Sequence, residues 1–243
     1  MRRERSAYLR TVAPIAGAVL LAIVALALHP HMSDHAGSQA ELREMGSLST
    51  RDRLVHGTLL LLLGMLLTVF TSYALRRGLT RQPVIAGLIT FAVGIGGLLA
   101  AGLIDGFVLP GIVARSVAGS PAARDAAVAT LAACGVAINV FTAFGIVAMA
   151  IAIAAWSFDL ARDVGGSRIA GIVGFVSALL TVSVLVAGGP SLRPHTLIAV
   201  LCVQGVWYVW ISRYCSRAAR RSVAMRYTAA RCLTDASQPR ALP

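Results

Sequence analysis

The chain has 243 residues, of which 57% are hydrophobic and only 13% are charged, and its formal net charge at pH 7 is +12. Because a soluble domain is about 25% charged, this composition excludes an ordinary soluble domain and indicates an integral membrane protein. All 22 basic residues are arginines that cluster beside apolar segments, and no nucleic-acid-binding motif is present, so we do not expect DNA or RNA as a partner.

Six apolar segments approach or exceed the length of about 20 residues that a helix needs to cross a bilayer. Lipid offers no partners for backbone N–H and C=O groups, so each segment is predicted to be helical. We therefore predict an all-α integral membrane protein, a six-transmembrane-helix bundle over residues 1–212 with a basic cytoplasmic tail at residues 213–243. The predicted spans are residues 11–28, 54–75, 84–109, 126–158, 169–188 and 196–211.

The first segment follows a basic N-terminus and also resembles a signal peptide. Its apolar stretch of about 18 residues is long for a signal peptide, and the cleavage-like sequence at residues 37–40 lies far beyond it. We favour a retained first span.

The arginines also predict how the chain is threaded. Most of the 22 lie in the two termini and in the connections on the same side of the membrane as those termini. The positive-inside bias therefore predicts both termini in the cytoplasm. The exclusive use of arginine is associated with bacterial genomes rich in GC, which favours a bacterial inner membrane.

Helix-capping signals mark three predicted helix starts. Ser38 with Glu41 and Ser49 with Asp52 fit capping boxes, predicting a short surface helix and then the start of the second span. Ser120 before Pro121 predicts the start of a helix that is too long for one span. Either its first turns stand outside the membrane, which we favour, or it bends near Gly135.

Two patterns concern helix packing. Residues 85–91 resemble residues 169–175, and residues 72–77 resemble residues 157–162, which suggests parallel hairpin repeats of segments 2–3 and 4–5. The alternative is that apolar helix starts look alike by composition. Gly102 and Gly106 form a GxxxG motif, which we interpret as internal helix packing rather than as a dimer contact.

The five histidines fall at or beyond the same ends of the apolar segments. Imidazole binds zinc, copper and iron, and a carboxylate is either a further ligand or orients the imidazole, so a transition metal or haem site is a hypothesis for this end. The alternative is that interfacial histidines are simply tolerated there. The candidate ligands are His29, His31, His35, His56, Asp105 and His195.

A smaller cluster of polar residues is predicted from their depth in the membrane. His56, Asp105 and Asn139 each lie about 28–31 Å from the opposite end of their predicted helices, at 1.5 Å per residue. They therefore share one layer, although the sequence does not show whether they face one another. An ionisable residue in a span usually has a partner, and for Asp105 we expect His56, Arg115 or Arg53. The alternative is a hydrated helix end that Pro110 terminates.

The centre of the predicted bundle is almost free of polar groups. Gln204 is the strongest polar residue near mid-depth, and the absence of ionisable groups there counts against a pump or an ion-coupled carrier. It leaves open a channel, a small-solute transporter or a lipid-handling protein. A continuous cavity that reaches Gln204 would favour a transporter or a lipid-handling protein.

The C-terminal tail is a candidate lipid-binding element. Its arginines at helical spacing suit anionic lipid headgroups, with Trp207, Tyr208 and Trp210 as an interfacial belt. The alternative is the stop signal of a last helix. The tail residues that we predict to face lipid are Arg213, Arg217, Arg220 and Arg221.

No Walker loop, HExxH motif or nucleophile elbow is present, and we predict no catalytic residue. The favoured hypothesis is a multi-pass, non-enzymatic component of the bacterial envelope that contacts the lipid bilayer, without a prediction of its oligomeric state. The alternatives are a metal-, haem- or redox-handling protein and a transporter of small solutes or lipids.

Overall fold

The computed structural model describes residues 2–29, 39–117, 119–163, 166–189, 192 and 195–212, with the backbone alone at residues 2–13, 39–45, 117 and 166. All regular structure in these ranges is helical. A π-helical segment at Ile104–Val108 joins α3 to α4 without a break. The helices are α1 (Arg2–Ala27), α2 (Gln39–Arg77), α3 (Gln82–Leu103), α4 (Leu109–Val117), α5 (Pro121–Ala161), α6 (Gly166–Ala187) and α7 (His195–Ser212).

The protein is a helical membrane protein. Five stretches are long and apolar enough to cross a bilayer: Gly46–Arg77, Gln82–Ser116, Pro121–Ala161, Ser167–Ala187 and His195–Ser212. Large apolar side chains point outward along these helices, as expected for lipid contact. In α1 the apolar stretch that the structure describes, Pro14–Ala27, is shorter. The count of six spans and the hairpin repeats therefore stay predictions.

The structure lacks the helix start predicted at Ser49 and the helix end at Pro110 that was the alternative for Asp105. α2 begins at Gln39 and runs unbroken through Ser49, because Asp52 does not cap a helix but points toward His56, one turn further on. Pro110 does not end its helix either. The π-helical segment widens the turn just before Pro110, which has no N–H and would crowd a regular turn, and Leu109 N–H donates to Ile104 O.

The predicted start of α5 is confirmed. Ser120 caps the helix, its side chain accepting a hydrogen bond from Ala123 N–H at 3.3 Å, and Pro121 follows in the first turn. The helix has 41 residues and continues without a break through Gly135. At about 61 Å it is twice the hydrocarbon thickness of about 30 Å, so one end must project.

Glycines bring α3 and α5 into close contact. A Cβ on Gly94 would lie 2.8 Å from Gly145 O, and a Cβ on Gly145 would lie 2.8 Å from Gly94 O. Backbones approach in this way in lipid-embedded bundles, where small residues take the place of a hydrophobic driving force. The backbones of α3 and α5 therefore lie in close contact where these two helices cross.

An aromatic stack made of Phe70, Trp156 and Trp207 fills the core where α2, α5 and α7 meet. The Phe70 ring lies 5.1 Å from the Trp156 ring at 12° and 5.7 Å from the Trp207 ring at 9°. The indole N–H groups donate to Val84 O and to Ala170 O. The predicted interfacial position of Trp207 and Tyr208 is wrong, because both are fully buried.

Candidate functional site

Four polar side chains meet at one end of the bundle, and we call them the His–Asp cluster: His29, Asp52, His56 and Asp105. His56 Nε2 lies 3.1 Å from Asp105 Oδ2, and His56 Nδ1 lies 3.1 Å from Asp52 Oδ1. His29 Nε2 is 3.7 Å from each of the same two carboxylate oxygens. The imidazole rings of His29 and His56 meet edge to face, with 5.1 Å between centroids.

Each member of the cluster is placed by its helix. His29 follows the end of α1, and Asp52 and His56 are one turn apart on α2. Asp105 lies in the π-helical segment, a kind of irregularity that often occurs at functional sites. Gly106 faces the His56 side chain so closely that a Cβ there would lie 2.7 Å from His56 Cγ.

The cluster is largely removed from solvent. The exposed fraction of the side chain is 7% for His56, 15% for Asp52, 23% for His29 and 27% for Asp105. His56 Nδ1 also lies 3.0 Å from the Asp52 carbonyl oxygen. Asp52 Oδ1 is buried and makes no hydrogen bond of acceptable geometry within the described part of the chain. A buried carboxylate oxygen in that position has spare capacity to accept a proton or a cation.

The GxxxG motif packs inside the bundle, against this site. A Cβ on Gly102 would lie 3.2 Å from Leu60 Cδ2, and Gly106 adjoins His56, so both glycines face α2. The two glycines allow α2 to approach α3 closely, and this brings Asp105 within reach of the imidazole of His56.

The other candidate residues fall into three groups. Asn139 does not contact the His–Asp cluster directly, since its Oδ1 accepts from Leu192 N–H at 3.3 Å, but it lines the same cavity. His195 is exposed at the start of α7. His31, His35 and the tail arginines Arg213, Arg217, Arg220 and Arg221 lie outside the described residues.

Sequence reasoning missed one member of the cluster. Asp52 fits a capping box, but it also stands four residues before His56, a spacing that places two side chains on one helix face. That spacing was the sequence signal that could have identified Asp52 as a partner of His56. Of the partners expected for Asp105, the structure brings His56 to it and leaves Arg53 and Arg115 exposed.

A cavity of about 300 Å³ extends from the His–Asp cluster into the bundle. His29, His56 and Asp105 line it at one end, and Gln204 and Tyr208 line it at the other. Apart from Asn139 and Thr142, the rest of its walls are apolar and come from α1, α2, α3, α5 and α7. They include Ala18, Leu59, Leu63, Ala101, Ile146 and Val200.

The deep end of the cavity carries an unused hydrogen-bond donor. Gln204 is only 3% exposed, and its Oε1 accepts from the Tyr208 hydroxyl at 3.0 Å. Its Nε2 is buried without a hydrogen-bond partner among the residues that the structure describes. Leaving such a group unpaired costs about 1–3 kcal/mol, so an occupant that accepts this hydrogen bond would gain affinity.

The opposite end of the bundle is closed by what we call the Arg–Asp network: Arg77, Arg81, Asp159 and Asp163. Arg77 donates to Asp159 Oδ2 at 2.7 Å and to Asp163 Oδ2 at 2.6 Å, and Arg81 donates to Asp159 Oδ1 at 3.0 Å. The network ties the end of α2 to the end of α5. Its carboxylates have arginine partners, whereas the described residues provide no arginine partner for those of the His–Asp cluster.

The comparisons with known proteins found no match. No protein-family model matches the chain, and no curated protein or solved structure matches it. The cavity and the two charged clusters are therefore the observations from which a function is to be argued.

Proposed function

We propose that the protein binds a small amphiphilic molecule inside its helical bundle and acts in lipid handling or small-solute transport in a bacterial inner membrane. The observation that carries this proposal is the cavity between the His–Asp cluster and Gln204. Its volume of about 300 Å³ lies at the lower end of the range of ligand pockets, about 300–1,000 Å³.

The distribution of polar groups supports an amphiphile rather than an ion or a sugar. The cavity walls between the two ends are formed mostly by leucine and other apolar side chains, which offer nothing to a fully polar solute. Gln204 Nε2 supplies a donor at the deep end, and the carboxylate of Asp105 supplies an acceptor at the other. A molecule with an apolar body, a hydrogen-bond acceptor at one end and a donor or positive charge at the other fits this pattern.

The same features count against an ion-coupled carrier. No ionisable side chain lines the apolar middle of the cavity among the described residues. Carriers driven by protons or sodium usually place such groups there. A binding or transfer role needs no group of that kind.

The test is to fill the cavity. Ala101 lines it and is buried, whereas Ala86 lies on the same helix and is exposed on the outside. The wild type, Ala101→Leu and Ala86→Leu would be purified in mild detergent, and bound small molecules would be extracted with organic solvent and quantified by mass spectrometry. We expect a molecule in near-stoichiometric amount in the wild type and in Ala86→Leu, and at least a tenfold loss in Ala101→Leu.

Equal occupancy in the two variants would place the molecule on the outer surface and refute the proposal, as would an empty wild type. Gln204→Leu adds a second readout, because it keeps the volume similar and removes the unused donor. A ligand that accepts this hydrogen bond should bind more weakly to Gln204→Leu, by about tenfold if one neutral hydrogen bond is lost.

A further inference from the structure

We propose that the His–Asp cluster binds one divalent transition metal ion, and that zinc is the ion that suits its donor set. Two imidazoles and two carboxylates converge there from the end of α1, from α2 and from the π-helical segment. Imidazole with carboxylate is a ligand combination that binds zinc and other first-row metals. This site lies at the mouth of the cavity and is distinct from the apolar volume that holds the amphiphile.

The separations between donor atoms fit one metal ion. Asp105 Oδ2 lies 3.1 Å from His56 Nε2 and 3.7 Å from His29 Nε2. Zinc bonds to nitrogen and oxygen are about 2.0–2.2 Å long, so two donors of a tetrahedral site are about 3.4 Å apart. The observed values lie on either side of that distance, and one potential ligand atom from each of His29, Asp52 and His56 also lies within 4.8 Å of the others.

The orientation of His56 also suits a metal ligand. Its Nδ1 faces Asp52, 3.0 Å from the carbonyl oxygen and 3.1 Å from Oδ1. A proton held on Nδ1 by these acceptors leaves the lone pair of Nε2 free on the side of Asp105. Carboxylates and carbonyls orient metal-binding histidines in this way in many sites, and Asp52 is therefore assigned as a positioning residue.

Charge balance favours a cation at this place. The two carboxylates of the cluster form their ion contacts with histidines, and among the described residues neither has an arginine partner. At the other end of the bundle, Asp159 and Asp163 are neutralised by Arg77 and Arg81. Buried charges are stable when they are paired or coordinate a metal, and a divalent ion balances the two aspartates with both imidazoles neutral.

The alternative occupant of the cluster is a proton. A protonated His56 between the two aspartates would also balance most of the charge, and no metal would then bind. The experiment separates the two states because a proton leaves no metal in the purified protein and gives no cobalt spectrum.

Zinc content would be measured by atomic emission on protein purified in detergent, after loading with zinc and dialysis. Cobalt would replace zinc to give a visible d–d spectrum that reports four-coordinate binding. The variants are Asp105→Asn, which keeps the side-chain shape, and His29→Ala, with His195→Ala as the matched control because His195 is exposed and outside the cluster. Circular dichroism would verify that each variant is folded.

We expect one zinc per chain in the wild type and in His195→Ala, and at least a hundredfold weaker binding in Asp105→Asn and His29→Ala. Asp52→Asn should bind about 10–100-fold more weakly, as other losses of an orienting partner do. A wild type that retains no zinc and shows no cobalt bands would overturn the proposal. So would zinc binding that His29→Ala leaves unchanged and that His31→Ala or His35→Ala removes.

Discussion

The sharpest test of the site is the addition of one methyl group at Gly106. A Cβ on this residue would lie 2.7 Å from His56 Cγ and 3.1 Å from His56 Nδ1, whereas ordinary contacts begin at 3.4 Å. The contact with His56 Cβ would be closer still, and relief of the contact with Cγ alone requires α2 and the π-helical segment to separate by about 0.7 Å, the difference between 3.4 and 2.7 Å. If that shift falls along the line from His56 Nε2 to Asp105 Oδ2, the separation of these atoms rises from 3.1 Å to about 3.8 Å, beyond the range of a direct polar contact.

Gly106→Ala should therefore destabilise the fold relative to a matched control, Gly111→Ala. Gly111 lies five residues further along the same continuous helix, and a Cβ there would meet nothing within 4 Å. Both changes gain about 1 kcal/mol of helix propensity, so this contribution cancels in the comparison. Overpacking costs about 1–3 kcal/mol, and this is the expected difference in the free energy of unfolding.

The measurement is equilibrium unfolding in mixed micelles with increasing sodium dodecyl sulfate, followed by the fluorescence of the buried Trp156 and Trp207. If the two variants agree within about 0.5 kcal/mol, the close approach of Gly106 to His56 is refuted. The geometry of the His–Asp cluster would then be refuted as well, because it depends on that approach.

Two further predictions concern the opposite end of the bundle and the threading of the chain. Arg77→Met removes a partner of Asp159, which is only 4% exposed, and should cost about 3 kcal/mol of unfolding free energy. The control Arg76→Met changes an exposed neighbouring residue and should cost under about 0.5 kcal/mol. Equal costs would contradict the role of the Arg–Asp network. A reporter enzyme that is active only in the periplasm should give activity when fused after Ala118 and none when fused after Gly165, and the reverse pattern would overturn the predicted orientation.

The predicted depth of each residue in the membrane was enough to predict part of the site. Counting the rise per residue from the predicted helix ends placed His56 and Asp105 in one layer, and the structure gives 3.1 Å between them. The rotation of each helix about its own axis was not predictable in this way, because a helix face that contacts lipid and one that contacts the core are both apolar in sequence. For the same reason the sequence did not show whether Asn139, predicted at the same depth, faces His56; in the structure its side chain accepts a hydrogen bond from Leu192 N–H.

Misinterpretation of Asp52 and Trp207 had a common cause. Both have side chains with strong preferences at helix ends or membrane interfaces, and the sequence signal for those roles is local. In the structure each is used for tertiary contact instead: Asp52 with His56, and Trp207 with Phe70 and the carbonyl of Ala170. Long-range partners of this kind are not encoded in the spacing of neighbouring residues.

The cavity divides the bundle into an open half and a closed half, and this division bears on how an amphiphile would enter. At the arginine-rich end, a path would have to separate the stacked rings of Phe70, Trp156 and Trp207 and then break the ion pairs between Arg77 and Asp159. At the other end, it passes side chains of the His–Asp cluster that are up to 27% exposed. For a protein that binds its ligand in this cavity, exchange through the His–Asp end therefore requires fewer contacts to break. A metal ion held there would sit beside this path.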